Sequence, residues 1–186
     1  MPHREIEIKL EVASASRASG RLRTLGATLE SRRRFEDNFL LDTFDRRLRR
    51  RKALLRVRES GERAILTYKG KGTVVRGAKV RSEIETEVSD ARALIAILKR
   101  LGFTKRFRYQ KYRTTFRHDA LVISLDETPI GTYLEIEGAH APLQKFAVRL
   151  GYNQGQFISK TYHELFLLYR RANHLRARDM IFGIKT

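Results

Sequence analysis

Apolar and charged side chains alternate residue by residue along several short stretches of this chain. They are Glu5-Ile6-Glu7-Ile8-Lys9, Leu54-Leu55-Arg56-Val57-Arg58, Arg81-Ser82-Glu83-Ile84-Glu85 and Tyr133-Leu134-Glu135-Ile136-Glu137. Such alternation predicts extended strands, because side chains at i and i+2 leave a strand on the same side. Glu5, Glu7 and Lys9 then share one face while Ile6, Ile8 and Leu10 share the other. Thr67 with Lys69, Lys111 with Arg113, and Ser124 with Asp126 repeat the spacing. One such strand is an ordinary solvated surface. Several, carrying both signs of charge, suggest a sheet whose polar face encloses something highly charged, although cross-strand salt bridges in water would produce the same pattern.

The remaining elements follow from periodicity and turn chemistry. Glu5 to Val12 is read as a strand, and Ala13 to Leu29 as a helix broken near Gly20 or ending near Gly26, with Leu22 and Leu25 inward. Phe35 to Thr43 is extended, and Asp45 to Leu48 forms a turn or a single helical turn. Ala53–Glu59 and Ala64–Lys69 make a hairpin across Ser60-Gly61-Glu62. Gly70 to Lys79 reads as a mobile loop, and Val80 to Val88 alternates again. Asp90 caps a helix presenting Leu94, Ile97, Leu98 and Leu101, which ends at Gly102. Phe103–Phe116, Leu121–Asp126 and Thr132–Glu137 are strands, with Pro129 and Gly131 in the last turn. A short helix over Ala141–Leu150 precedes a final one that starts near Ser159 and is carried by Tyr162, Leu165, Phe166 and Tyr169. The expected class is α+β: eight mostly antiparallel strands that close into a barrel, with packed helices.

Composition narrows the chemistry. At 186 residues with 41% hydrophobic content, the chain suits a single domain with a sizeable core. No apolar run has membrane-spanning length, and no signal-peptide-like stretch precedes the first strand, so a cytoplasmic protein is the expectation. With no cysteine, thiolate chemistry and Cys-ligated zinc are excluded, and His3, His118, His140, His163 and His174 form no paired ligand spacing. The 39 basic against 21 acidic residues give a formal charge of +18, which attracts phosphate-rich partners. An arginine-rich solvated surface explains the same number. The dense clusters Arg32-Arg33-Arg34 and Arg46 to Lys52 lack an aromatic ladder for stacking bases, so nucleic acid is set aside as a partner.

An interior carrying this many charges must be wet or filled with counter-charge. Carboxylates beside guanidinium and ammonium groups suit a metal-bound polyphosphate. Oxygen ligands hold Mg2+ or Mn2+, while Arg and Lys take phosphoryl oxygens.

The ordered set of these segments also resembles a known family. Glu5-x-Glu7-x-Lys9 is followed by Phe39-Leu40-Leu41-Asp42-Thr43, Leu55-Arg56-Val57-Arg58, Leu66-Thr67-Tyr68-Lys69-Gly70 and Arg81-Ser82-Glu83-Ile84-Glu85. Lys111-Tyr112-Arg113, Leu125-Asp126, Tyr133 to Gly138 and Ser159 to Leu165 complete it. This is similar to the CYTH domain, or triphosphate tunnel metalloenzyme, family of class IV adenylate cyclases, thiamine triphosphatases and inorganic triphosphatases. The resemblance implies an eight-stranded antiparallel tunnel over residues 1–172, leaving 173–186 as a C-terminal tail. It implies an acidic, metal-holding lining of Glu5, Glu7, Glu83, Glu85, Asp126, Glu135 and Glu137. Lys9, Arg56, Arg58, Lys69, Lys111, Arg113 and Lys160 would clamp phosphate, Arg81 joining either group. Lys9, Glu7, Glu83 and Arg58 are the residues expected to carry catalysis. Tyr112 is expected to point outward, and Asp42 to support the sheet end.

The activity so implied is metal-dependent hydrolysis of a small-molecule triphosphate, either inorganic triphosphate or an organic one such as thiamine triphosphate. Cyclisation of ATP to cyclic AMP and pyrophosphate is the alternative. A non-enzymatic polyphosphate or RNA binder fits the charge but not the carboxylates. The family, and the apolar Phe166, Leu167 and Tyr169, are compatible with a homodimer.

Overall fold

The alternating segments close on themselves. The computed structural model describes residues 3–183. Its strands are β1 (His3–Val12), β2 (Thr28–Thr43), β3 (Leu54–Ser60), β4 (Arg63–Lys69), β5 (Thr73–Val75), β6 (Ala78–Val88), β7 (Phe103–His118), β8 (Leu121–Thr128) and β9 (Gly131–Glu137). The helices are α1 (Ala15–Thr24), α2 (Arg47–Arg50), α3 (Ala91–Arg100), α4 (His140–Leu150) and α5 (Tyr162–Ala172). The antiparallel order β1-β9-β8-β7-β2-β3-β4-β6 returns to β1, giving an eight-stranded barrel with β5 appended to β6. Closure leaves neither β1 nor β6 as a bare barrel edge.

The apolar phase of the strands faces outward against helices. Ile8, Leu10, Leu121, Ile123, Leu134 and Ile136 form the main core with Leu22 of α1 and Leu143 and Phe146 of α4. A smaller cluster joins Leu41 and Val57 to Leu98 of α3. The third core lies differently. Phe107, Tyr109 and Tyr133 are in phase with the charged lining, and they pack on Tyr162 and Phe166 of α5. Towards one end the barrel interior is therefore aromatic, and α5 seals it.

Several boundaries differ from expectation, each for a local reason. The first helix runs unbroken through Gly20 and stops at Thr24, just before Gly26, the second of the two expected ends. Gly26 adopts φ +87° and Ala27 N–H donates to the Leu22 carbonyl, the left-handed glycine termination. Thr28 to Arg34 instead begins β2, whose irregular register around Ser31 hides any alternation. The expected loop from Gly70 to Lys79 contains a hairpin: Arg76 and Gly77, both at positive φ, turn β5 onto β6. Ile97 and Leu101 of α3 are exposed at 58% and 66%, so its buried stripe is narrower than predicted. The last helix begins at Tyr162, where Thr161 and Glu164 form a reciprocal capping box.

Beyond α5 the chain returns to the barrel. Strand β8 pairs with β7 only from Tyr112 to His118, and Met180 takes up the edge beside Tyr109. Its N–H donates to the Arg108 carbonyl and its carbonyl accepts from Gln110, while its side chain is wholly buried in the α5 core. Phe166 is likewise fully buried, so that part of the apolar stripe is spent within the chain. Among the described residues no helix is long and apolar enough to cross a membrane.

Candidate active site

Inside the barrel lies a cavity of about 640 Å³. Its lining is built from the charged phase of every barrel strand but β8, which supplies Val122 and Ser124. Strand β1 supplies Glu5, Glu7 and Lys9; β6 supplies Lys79, Arg81, Glu83 and Glu85; β9 supplies Glu135 and Glu137. Facing them are Arg56 and Arg58 of β3, Lys69 of β4, Lys111 and Arg113 of β7, and Glu36 of β2. Carboxylates thus concentrate on the β6-β1-β9 wall and guanidinium groups on β3 and β7. One end carries Arg34, Arg63, Ser31, Ser60 and Thr115; the other is bounded by Leu54, Tyr109, Tyr162 and His163.

Ion pairs tie the lining together. Lys69 lies 2.6 Å from Glu5 and 2.9 Å from Glu83. Arg81 donates to Glu5 at 2.9 Å and to Glu7 at 3.0 Å. Arg113 bridges Asp126 at 2.7 Å and Glu135 at 2.5 Å, and Lys111 reaches Asp126 at 2.8 Å. Arg56 contacts Glu85 at 3.2 Å and Thr67 at 3.1 Å. Lys9 sits 3.3 Å from Glu135, 4.4 Å from the Tyr162 ring centroid, and donates to the Lys160 carbonyl at 2.9 Å. Desolvation consumes most of the Coulombic gain of buried ion pairs, so this network is a weak source of stability. Its consequence is to hold donors and acceptors in place.

The charges set one another's protonation. Burial disfavours ionised Glu5, yet Lys69 and Arg81 outweigh it and hold the carboxyl at about 2. Glu36 behaves alike: burial is overcome by Lys111, Arg113, Arg58 and Arg56, again giving about 2. Glu135 is held well below its ordinary range against burial by Lys9, Lys111 and Arg113. Glu83 goes the other way. Burial raises it, and Glu5 and Glu85 add to this against the pull of Lys69, to about 7. Burial, with Arg81 and Lys9, draws Lys79 down to about 8 despite Glu7 and Glu164.

Most of the expected residues converge on the cavity, and two stand apart. Asp126 is fully buried behind the lining, where it accepts from Lys111, Arg113 and the Tyr162 hydroxyl. Such a carboxylate is placed to orient the cations rather than to meet a metal. Lys160 is exposed, and only its backbone carbonyl reaches the site, through Lys9. Tyr112 faces outward onto Phe35 and Phe182. Asp42 caps α2 by accepting from Leu48 and Arg49 N–H, at 2.9 and 3.0 Å.

Sequence reasoning missed Glu36, Arg34, Arg63, Lys79 and Tyr162. Glu36 was hidden because its neighbour Asp37 is also charged, pairing outward with Arg108 at 2.6 Å. Lys79 lay in the supposed loop. Extending the β6 alternation back by one step from Arg81 finds it.

The donor set suits a hard divalent cation. Glu7 and Glu137 are direct cross-strand partners on the inner face, so two carboxylates of the kind that such a cation takes lie side by side, Glu7 also pairing with Arg81. Among the described residues no three carboxylates gather at coordinating distance.

Comparison with known proteins agrees with this geometry. The CYTH domain family model matches residues 3–162. A Methanocaldococcus jannaschii protein, assigned by name as an adenylate cyclase without demonstration, is 28% identical over 134 residues, 72% of this chain and 75% of that one. A Vibrio parahaemolyticus structure carrying the same provisional name superposes with a TM-score of 0.79 at 16% identity, over 90% of this chain and 99% of that one. A Hippeastrum protein, also provisionally named an adenylyl cyclase but with a dominant triphosphatase activity, gives a TM-score of 0.65 at 20% identity over 90% and 96%. Fold, ordered lining and family match coincide: the chain belongs to the CYTH domain family.

Proposed function

We propose that this chain is a divalent-metal-dependent triphosphatase acting on inorganic triphosphate or on an organic triphosphate such as thiamine triphosphate. The observation that carries the reading is the two-sided tunnel: carboxylates on β6, β1 and β9 oppose guanidinium and ammonium groups on β3, β4 and β7. A bare anion would be repelled by the first wall, and a bare cation by the second. A metal-bound triphosphate satisfies both.

Glu5, Glu7, Glu135 and Glu137 would hold Mg2+ or Mn2+, with Glu83 and Glu85 beside them. When bound, the ion would polarise phosphoryl oxygens and make a bound water more acidic. Arg56, Arg58, Lys111 and Arg113 bind the opposite oxygens, and Lys9 and Lys69 neutralise charge building on the leaving group. Asp126, Glu36 and Glu135 tether Lys9, Arg58, Lys111 and Arg113, while Glu85 holds Arg56 and Glu5 holds Lys69, so little reorganisation is needed during reaction. A carboxylate of the acidic wall (Glu7, Glu83 or Glu137) accepts the proton of the water attacking in line.

The name of the Methanocaldococcus relative supports a second reading, cyclisation of ATP to cyclic AMP and pyrophosphate. The Hippeastrum protein supports hydrolysis. Hydrolysis also asks less of the site, since it needs no pocket for adenine. A product-resolved assay with inorganic triphosphate, thiamine triphosphate and ATP separates the two. Phosphate release without cyclic AMP is expected; cyclic AMP with pyrophosphate would replace the hydrolase reading by the cyclase.

A further inference from the structure

Below the basic wall, side chains of β2 and β3 leave a set of buried polar atoms with no hydrogen-bond partner among the described residues. Asn38 is 0% exposed, and neither its Oδ1 nor its Nδ2 has a hydrogen-bond partner among the described residues. Arg56 Nε and Glu36 Oε2 are in the same state, the latter lying 3.5 Å from the Lys111 ammonium without forming a hydrogen bond.

These atoms belong to one neighbourhood. Glu36, Asn38 and Leu40 share the inner phase of β2, which runs between β3 and β7. Asn38 is directly opposite Arg58 on one side and Tyr109 on the other. Leu40 is opposite Arg56. The contact from Arg56 Nη1 to the Tyr109 hydroxyl, 3.4 Å, joins β3 to β7 and so crosses over β2 beside Asn38. One step along, Glu36 lies between Arg58 at 3.7 Å and Lys111 at 3.5 Å. Asn38 is therefore roofed by both bridges.

We infer that Asn38 anchors one or two buried water molecules beneath the phosphate clamp, and that this water positions Arg56 and Glu36. Leaving several buried polar atoms unpaired is costly, and native interiors satisfy nearly all of them, commonly with ordered water. The inventory fits water in particular. Asn38 Nδ2 and Arg56 Nε need acceptors, while Asn38 Oδ1 and Glu36 Oε2 need donors. A water molecule offers both, and buried waters typically make about three such bonds. A cation would face Arg56, Arg58 and Lys111, and an anion would leave two acceptors unserved. Flipping the Asn38 amide exchanges its two ends without changing the inventory. Asn38 is thus a positioning residue for the clamp; that role rests on the triphosphatase reading, whereas the water site does not.

The test begins with the free wild-type protein, in a high-resolution crystal structure or by water-to-side-chain NOEs at the Asn38 amide. Ordered water within hydrogen-bond reach of Asn38 and Arg56 Nε is expected; a dry site overturns the inference. Asn38→Leu, of similar size but unable to hold water, is expected to weaken binding of inorganic triphosphate with Mg2+ by about tenfold in calorimetry. Asn38→Ser, which keeps a donor and acceptor, should stay within about threefold of wild type. Equal losses in both variants, or none in Asn38→Leu, would overturn the positioning role. If Asn38→Leu does not fold, the water signal in the wild type still decides the site. If the wild type binds no triphosphate, the functional reading fails while the water result stands separately.

Discussion

Lys9 and Lys111 each make three contacts in the site, and of the two Lys9 is the one on the carboxylate wall. It touches Glu135, the Lys160 carbonyl and the Tyr162 ring while facing the cavity. Lys9→Ala is expected to lower kcat about 100-fold or more while leaving circular dichroism unchanged, the usual cost of losing one preorganised donor. Near-native turnover in that variant would remove this cavity as the active site. Lys160 gives the opposite expectation, because its side chain is exposed outside the cavity lining and only its carbonyl contributes. Lys160→Ala should stay within about threefold of wild-type kcat/KM, as exposed substitutions generally do; a hundredfold loss would show that the side chain swings in to meet substrate. Glu36 carries a pH signature. Its carboxyl sits near 2 when folded against an ordinary 4.5, so it contributes stability above pH 4.5 that is lost as pH falls towards 2. The difference corresponds to roughly 3 kcal/mol, an order of magnitude only. Thermal melts of Glu36→Gln against wild type should differ most near neutral pH, draw together below pH 4.5 and converge only towards pH 2; a gap independent of pH would contradict this electrostatic role.

At the scale of elements, the strands were legible where one face was apolar and the other charged. Strands β1, β3, β4, β6 and β9 each present that contrast, and the sequence placed each of them to within a few residues. Strand β2 was only half visible, since Glu36 and Asp37 carry charge to both faces and the Arg32–Arg34 run has no apolar partner phase. Helix α3 shows the converse failure: apolar residues at helical spacing need not all be buried. Leu98 is 9% exposed in its cluster with Leu41 and Val57, whereas Ile97 is 58% exposed. Leu98→Ala should therefore cost about 2–5 kcal/mol by chemical denaturation, and Ile97→Ser less than about 0.5 kcal/mol. Equal losses would mean that α3 seats differently on the barrel. Lining residues contributed by alternating strands were legible. The tethering carboxylate Glu36 was masked by the adjacent Asp37, and the plug by Tyr162 depends on the docking of α5, which no local pattern encodes.

Across the whole molecule, the charge of +18 has two destinations. Inside, cations alternate with carboxylates and are largely neutralised by them. Outside, Arg32, Arg47 and their neighbours stay exposed and raise the local concentration of anions around the tunnel. That separation explains why composition pointed towards phosphate while the choice between a metal-dependent enzyme and a simple polyanion binder required the carboxylate wall. The CYTH family match and the closed barrel agree on the scaffold, and the two walls supply the chemistry proposed for it.

The most direct test is phosphate release from inorganic triphosphate and thiamine triphosphate, with ATP in parallel, in Mg2+ or Mn2+ and in excess chelator. The account predicts metal-dependent release of phosphate, abolished by chelator, and no cyclic AMP from ATP. Cyclic AMP with pyrophosphate, or tight metal-independent binding without turnover, would contradict it.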